Sequence, residues 1–182
     1  MARDVVILVG SLRKASLSRK TANAMRELAD RSLALEIVEI GDLPLYNEDL
    51  EASVPAPWTR FRDRVRAAAA VVFVTPEYNR SVPGVLKNAI DVGSRPYGKS
   101  VFSKKPAGIV SVTPGALGAF GANHHLRQSL VFLDMPALQQ PEAYIANAGK
   151  LFDESGTLVS EDTRTFFNKY IKAFAAWIEK NA

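Results

Sequence analysis

The chain contains no cysteine, and this absence removes several classes of chemistry at once. A protein of 182 residues without thiols has no disulfides, thiol nucleophile, iron–sulfur cluster or cysteine-ligated zinc. Its 11 glycines and 10 prolines are an ordinary share, which excludes collagen-like and low-complexity chains. The longest wholly apolar run, 67–74, is too short to cross a bilayer. These absences indicate a globular chain, and the length fits one domain over residues 1–182.

The chain also lacks a strong excess of charge of either sign. It carries 23 lysines and arginines against 19 acidic residues, a net charge of +4. The basic residues are dispersed among acids, which argues against nucleic-acid binding, while the mild positive field favours anionic small molecules such as nucleotides. The first residues lead directly into the apolar run 5–9 without a long hydrophobic leader, so we expect a soluble, cytoplasmic protein with no membrane partner.

Apolar runs alternate with helical patterns along the whole chain. The strand candidates are 5–9, 35–40, 71–74, 107–112 and 143–145. Apolar residues spaced by three and four predict helices at 21–31, around 58–65, at 85–92, around 126–133 and at 167–178. Because most of these strands are continuously apolar, both faces of the sheet should be covered. The pattern predicts a single α/β domain of the flavodoxin-like, doubly wound type, a five-stranded parallel sheet of order 2-1-3-4-5 with helices on both faces.

The loop after the first strand is the strongest candidate for a binding site. In open α/β sheets the ligand lies outside the carboxyl ends of the strands, so the loops after Val9, Val74 and Val112 should meet at one crevice. The first loop, 10–18, contains three serines and Arg13 and leads into a helix whose first N–H groups are free. Hydroxyls, free N–H groups and an arginine together suit a phosphate. The alternative is that Ser16 or Ser18 only caps the helix.

Two familiar phosphate motifs do not match this loop. A P-loop needs glycine and lysine before its serine or threonine, whereas this chain has Lys14-Ala15-Ser16. The dinucleotide fingerprint needs a second glycine where Leu12 stands. The sequence therefore favours a monophosphate held by hydroxyls.

The later loops add a flat binding surface. In the loop 75–84, Tyr78 offers an aromatic face and Asn79 can donate and accept at the edge of a heterocycle such as a flavin, although an ordinary turn would explain the same residues. The loop 113–121 contains three glycines, which allow the backbone to approach a ligand closely. The adjacent His124 and His125 diverge on a helix and cannot share a metal. With no catalytic triad motif in the sequence, an organic cofactor is the natural carrier of the chemistry.

Three stretches together resemble the NADPH-dependent FMN reductase family. They are Gly10 to Ser16, Thr75 to Asn79 and Ser81 to Asp91, and the segment His125 to Leu133 is similar too. The likeness is strongest to the bacterial branch of NAD(P)H-dependent quinone and chromate reductases. It covers nearly the whole chain in order and at compatible spacing, which is far more specific than any one loop.

The resemblance implies a domain that binds FMN non-covalently and uses NAD(P)H as co-substrate. By analogy, the first loop holds the phosphate, the second lines the isoalloxazine largely through backbone groups, and Ser111 with Gly115 lies on its other side. The implied cofactor-binding set is Ser11, Arg13, Ser16, Leu17, Ser18, Pro76, Glu77, Tyr78, Asn79, Ser111 and Gly115. Three residues depart from the family pattern. Ala15 and Ser18 alter the phosphate loop. Phe120 occupies a loop position at which its side chain would narrow the substrate space above the flavin.

The activity implied is a ping-pong hydride relay from NAD(P)H through FMN to quinone-like, azo, chromate or flavin acceptors, with no catalytic side chain required. The family also implies a homo-oligomer, a dimer or homotetramer with FMN near a subunit boundary. Two alternatives stay open from the residues. One is a flavodoxin-like electron shuttle, although such carriers surround their flavin with acidic residues and this chain has basic loops. The other is a flavin-free regulatory domain of the same fold.

Overall fold

Strands and helices alternate throughout the computed structural model, which describes residues 2–181. The strands are β1 (Arg3–Val9), β2 (Leu33–Val38), β3 (Ala70–Thr75), β4 (Ala107–Val112) and β5 (Ala143–Ile145). The helices are α1 (Leu17–Leu28), α2 (Ala56–Ala67), α3 (Gly84–Ser94), α4 (Phe120–Phe132) and α5 (Glu161–Lys180), with short 3-10 turns at Glu48–Ser53 and Ala148–Lys150. The predicted domain 1–182 includes Met1 and Ala182, which lie outside the described residues.

All neighbouring strands pair in parallel, in the order β2-β1-β3-β4-β5. The predicted flavodoxin-like order 2-1-3-4-5 is therefore confirmed. The order reverses between the central strands β1 and β3, where Val9 pairs with Val74. This reversal opens a crevice at the carboxyl ends of those two strands, because the connections that follow them leave on opposite faces.

Two apolar layers cover the sheet and explain the continuous apolar runs. Val5, Ile7 and Val9 of β1 face a cluster that includes α1 and α5, while Val6 and Leu8 face a second cluster with α2, α3 and α4. Every residue of β3 and β4 is buried. The aromatic stripe of α5 belongs to the first cluster and packs in the core. No helix within residues 2–181 combines the length and apolarity needed to span a membrane.

Several predicted boundaries were wrong by two to six residues. Helix α1 begins at Leu17 rather than at residue 21, because the Ser16 hydroxyl accepts a hydrogen bond from the backbone N–H of Arg19 at 3.1 Å and caps it there. Strand β2 starts two residues earlier than predicted, since its limits follow its pairing with β1 and not its own apolar pattern. Helix α4 begins at Phe120, well before its first core-facing leucine, because its first turn is held by contacts outside the helix.

Candidate functional site

The loops after β1, β3 and β4 meet at the carboxyl edge of the sheet, as the sequence predicted. Together they surround a cavity of about 250 Å³. It is lined by Ser11, Arg13, Ser16, Leu17, Ser18, Pro76, Glu77, Tyr78, Val112, Thr113 and Pro114. A second cavity of about 380 Å³ shares Ser11, Arg13 and Tyr78 with the first and continues toward the start of α3. The two spaces form one groove around the first loop.

The first loop leaves the sheet in a tight turn beneath the second. The backbone N–H of Gly10 donates to the carbonyl of Val74 at 2.9 Å, so the sheet hydrogen bonding continues one residue beyond β1. A Cβ on Gly10 would lie 3.2 Å from both Leu86 Cδ2 and Pro76 Cδ. The absence of a side chain here lets the first and second loops lie against each other.

Two serine hydroxyls in the first loop are available to a ligand. Ser11 and Ser18 are only 8% and 2% exposed, and within residues 2–181 neither hydroxyl has a hydrogen-bond partner. The N–H groups of Leu17 and Ser18 lie in the first turn of α1, where no intrahelical acceptor exists. Ser16 differs because its oxygen already caps the helix. The capping alternative therefore holds for Ser16, whereas Ser11, Ser18 and the helix N-terminus form a donor set that fits a phosphate.

Arg13 is the cation that remains uncommitted beside these donors. Its side chain is exposed, lines both cavities and makes no ion pair or hydrogen bond within the described chain. Arg19, in the first turn of α1, is instead bound to both carboxylate oxygens of Glu39 at 2.6 and 2.7 Å. That hydrogen-bonded pairing lowers the pKa of the Glu39 carboxyl. An anion entering the cavity would therefore meet Arg13.

The second loop contains a strained turn at the cavity. Asn79 and Arg80 both have left-handed backbone, with φ of 52° and 63°. Tyr78 and Ser81 close the turn by exchanging two backbone hydrogen bonds of 3.1 and 2.9 Å. Left-handed conformations at residues other than glycine cost free energy and are concentrated at functional sites. The turn presents Tyr78 to the cavity, whereas Asn79 is not among the residues that line it.

A buried serine on β4 is hydrogen-bonded to the third loop. Ser111 on β4 is fully buried, and its hydroxyl lies 2.6 Å from the Gly118 carbonyl and 3.2 Å from both the Ala143 carbonyl and Asn123 Nδ2. That hydroxyl is thus occupied within the fold. Gly115 does not line the cavity either, so the cofactor-binding roles predicted for Asn79, Ser111 and Gly115 stay predictions.

The third wall of the cavity consists of residues that the sequence reasoning did not single out. They are Val112, Thr113 and Pro114, at the very end of β4 and directly after it. Their position in the sequence could have identified them, since the ligands of open α/β sheets lie at the carboxyl ends of the strands. The family resemblance points to Ser111 and Gly115 and leaves out the three residues between them.

Phe120 stands apart from both cavities. Its ring is 53% exposed and packs on His124, with ring centroids 4.1 Å apart, and on Tyr144 at 5.5 Å. The Tyr144 hydroxyl donates to Glu142 at 2.8 Å, and burial together with this bond raises the pKa of Tyr144 to about 12. Phe120 thus belongs to an aromatic cluster beside the third loop and lines neither of these two spaces, and the narrowing of the substrate space expected from it stays a prediction.

Comparison with known proteins gives a consistent result. Residues 3–150 match the family described as NADPH-dependent FMN reductase. A quinone reductase of Pseudomonas putida is 63% identical over 179 residues, which are 98% of this chain and 96% of that protein. A 2-hydroxy-1,4-benzoquinone reductase of a Burkholderia species is 41% identical over 178 residues, 98% of this chain and 97% of the relative.

Solved structures resemble the chain over its full length. FerB, a flavoenzyme NAD(P)H:(acceptor) oxidoreductase from Paracoccus denitrificans, superposes with a TM-score of 0.93 at 40% identity and covers 99% of both chains. An FMN-dependent NADH-azoreductase from Bacillus anthracis has a TM-score of 0.60 at 13% identity over 100% of both chains, a likeness that concerns the fold alone.

Proposed function

Because the chain belongs to the NADPH-dependent FMN reductase family, we propose that it passes two electrons by a ping-pong hydride relay from NAD(P)H to a quinone-like acceptor. The chain is an NAD(P)H-dependent FMN and quinone reductase, with FMN as its cofactor and NAD(P)H as co-substrate. The observation that carries the proposal is a pair of serines that line the cavity beside the uncommitted Arg13, Ser11 directly after β1 and Ser18 in the first turn of α1, whose hydroxyls have no hydrogen-bond partner within residues 2–181.

The described residues fit FMN. Ser11, Ser18 and the first N–H groups of α1 would hold the phosphate, and Arg13 would add a charge-assisted hydrogen bond. The loop from Pro76 to Tyr78 and the segment 112–114 would line the isoalloxazine on either side. When bound, FMN accepts and donates hydride, so the protein itself supplies binding, orientation and electrostatics.

The basic residues around the groove favour anionic ligands. Arg13, Lys14 and Arg80 are exposed on the first and second loops, and the chain carries a net charge of +4. Their field supports binding of the phosphates of FMN and NADPH. It also weighs against the electron-shuttle alternative, whose flavin environment is acidic. The flavin-free alternative does not fit a family of FMN reductases.

We propose quinones as the main acceptors, with azo compounds, chromate and free flavin as further ones. Two relatives are named for quinone reduction, one of them for a hydroxybenzoquinone. Tyr78, 55% exposed at the groove, offers an aromatic face against which a flat acceptor could stack. The use of NAD(P)H agrees with the cytoplasmic location expected from the sequence.

We further propose that the chain forms a homo-oligomer, a dimer or a homotetramer, with the cofactor near a subunit boundary. Val131 and Phe132, at the C-terminal end of α4, are 79% and 72% exposed. Tyr97, in a loop that lines the same depression as Phe132, is 85% exposed. Exposed apolar residues grouped in this way favour coverage by a second copy of the chain, which supports an oligomer. The place of the cofactor near a subunit boundary rests on the family resemblance alone, because none of these three residues lines the groove.

The proposed function is tested by separating the two half-reactions. Purified protein should show flavin absorption bands, NAD(P)H should bleach them without oxygen, and 1,4-benzoquinone should restore them after the nicotinamide product is removed. Steady-state double-reciprocal plots should give parallel lines. A protein that stays colourless after addition of FMN, or that oxidises NAD(P)H only with a separate reductase, would contradict the proposal.

A further inference from the structure

Helix α4 has no capping side chain of its own. It follows Ala119, whose backbone is left-handed with φ 57° and ψ 43° and whose side chain makes no capping hydrogen bond. The N–H groups of a first helical turn must find acceptors elsewhere. Here the acceptor comes from the second loop, where Glu77 Oε2 receives the backbone N–H of Ala122 at 3.0 Å. A cavity-lining loop thus supplies the cap of a helix that follows the neighbouring strand.

Gly121 allows the two segments to lie in direct contact. A Cβ at Gly121 would lie 2.9 Å from Glu77 Oε2 and 2.8 Å from the carbonyl oxygen of Arg80, closer than real Cβ atoms come. A further contact joins the Ser81 hydroxyl to His125 Nδ1 at 2.9 Å. Two hydrogen bonds and one close packing contact therefore join the turn 77–81 to α4.

These contacts support a turn that its own backbone also closes, through the two hydrogen bonds between Tyr78 and Ser81. Two consecutive residues, Asn79 and Arg80, are left-handed, and such conformations persist only where the surroundings determine them. The Glu77 side chain is 14% exposed and lies at the positive end of the α4 dipole, where a carboxylate is stabilised. Its other oxygen lies 3.4 Å from the exposed guanidinium of Arg80, a weaker contact. The principal partner of Glu77 is therefore the helix.

We propose that Glu77 is a positioning residue, whose side chain fixes the turn 77–81 on α4 and so holds the cavity wall against which the isoalloxazine lies. The inference rests on the proposed function, because the place of the ring beside Tyr78 is part of it. Loss of the carboxylate should leave the phosphate donors of the first loop intact, since within residues 2–181 none of them is hydrogen-bonded to Glu77 or to α4. The ring would then lose its fixed orientation while the cofactor stayed bound.

The test compares Glu77→Ala with Glu77→Gln in the FMN-loaded protein. Visible-region circular dichroism reports how rigidly the bound ring is held, and benzoquinone kinetics report its alignment. We expect Glu77→Ala to lose about half of the flavin dichroism and roughly tenfold in kcat/KM, the scale of a sub-ångström misplacement. The FMN Kd should rise by less than about threefold. Glu77→Gln, which keeps an acceptor oxygen of the same reach, should recover most of both losses.

A matched control removes the cap of a helix that lines neither cavity. Ser160 caps α5 by accepting the backbone N–H of Thr163 at 3.3 Å, so Ser160→Ala should lower the melting temperature and leave dichroism and kinetics unchanged. If Glu77→Ala does not fold, Gly121→Ala keeps the carboxylate and places a methyl group between it and the helix, with the same expected loss of dichroism.

Three results would overturn the inference. Wild-type dichroism and kcat/KM in Glu77→Ala or in Gly121→Ala would show that the turn does not depend on α4. Equal losses in Glu77→Gln and Glu77→Ala would show that the charge of Glu77 acts, and not its position. A wild-type protein that binds no FMN would refute the proposed function, and it is recognised before any variant is made because the flavin dichroism is missing at the outset.

Discussion

At the scale of single residues, the site is defined by which polar groups the fold has left free. Ser16 and Arg19 resemble Ser18 and Arg13 in sequence, yet the first pair is engaged within the protein while the second is not. Residue type alone could not separate the two arginines, because the distinction depends on Glu39, which the fold brings from the residue after β2. The same holds for Ser111, because its hydroxyl donates to the Gly118 carbonyl, which only the folded third loop brings near.

Arg13 should contribute to cofactor affinity. The substitution Arg13→Ala removes a charge-assisted hydrogen bond of about 1.5–3 kcal/mol. We therefore expect the FMN Kd, measured by fluorescence titration of the apoprotein, to rise roughly ten- to a hundredfold. Arg26→Ala, at the exposed C-terminal turn of α1, is the control and should leave the Kd unchanged. An unaltered Kd in Arg13→Ala would mean that this guanidinium points away from the phosphate.

Ser16 and Ser18 should separate stability from binding. Ser16→Ala removes the cap of α1 and should lower the free energy of unfolding of the apoprotein by about 1 kcal/mol. Ser18→Ala removes an unpartnered hydroxyl, so it should barely change unfolding but weaken FMN binding by roughly tenfold or more. Urea denaturation and FMN titration of both variants decide the matter. Equal effects of the two variants on either measurement would contradict this division of roles.

At the scale of secondary-structure elements, a buried ion pair attaches the 3-10 turn 48–53 to the helices beneath it. The Arg62 side chain on α2 is 8% exposed, and Nη2 lies 2.5 Å from Glu51 Oε1. Its Nε donates to the carbonyl of Val92 at the end of α3 at 2.9 Å, and the guanidinium lies 5.3 Å from the Trp58 ring. The Arg62 side chain therefore links α2, α3 and the 3-10 turn.

Breaking this pair should destabilise the fold strongly. Glu51→Ala leaves the Arg62 guanidinium buried without its carboxylate, and we expect a loss of about 2–4 kcal/mol in the free energy of unfolding. Asp63→Ala breaks the exposed pair with Arg66 on the same helix and should cost no more than about 0.5 kcal/mol. Urea unfolding of the two variants tests the difference, and similar losses in both would show that burial of the Arg62 pair is unimportant.

The sequence predicted the elements better than their limits. Strands β1, β3 and β4 were recognisable because a strand covered on both faces has a nearly continuous apolar run, in which Ser111 of β4 is a polar exception. Edge strand β2 was displaced by two residues, since its outer residues are half-exposed and its pairing with β1 decides where it starts. The start of α4 was unreadable because the residue that caps it, Glu77, is more than forty positions away.

At the scale of the whole molecule, the order of the elements in the sequence predicted the fold class. It did not predict which surface joins one copy of the chain to another. Alternating strands and helices leave few arrangements once crossovers are right-handed, so the parallel sheet was predictable in outline. Exposed apolar residues such as Phe132 look like core residues in a sequence, because helical spacing does not tell which face of α4 meets the sheet. Only the folded chain shows that this ring points outward.

Phe132 should matter for assembly. Phe132→Asp places a charge within the exposed apolar group at the end of α4, and it should shift the protein to a smaller species in light scattering coupled to size-exclusion chromatography. Val159→Asp alters an apolar residue that is 54% exposed elsewhere on the surface and should leave the mass unchanged. A wild-type chain that is already monomeric, or equal masses for wild type and Phe132→Asp, would contradict the proposed interface.

The hydrogen bond from Gly10 to Val74 has a practical consequence. It extends the pairing of β1 with β3 into the first loop, so the start of that loop is fixed by a main-chain bond of the sheet without a ligand. A protein stripped of its flavin should therefore keep an intact receptacle and be open to reconstitution with synthetic analogues of altered reduction potential. Such a series would allow the driving force of electron delivery to be tuned while the polypeptide stays the same.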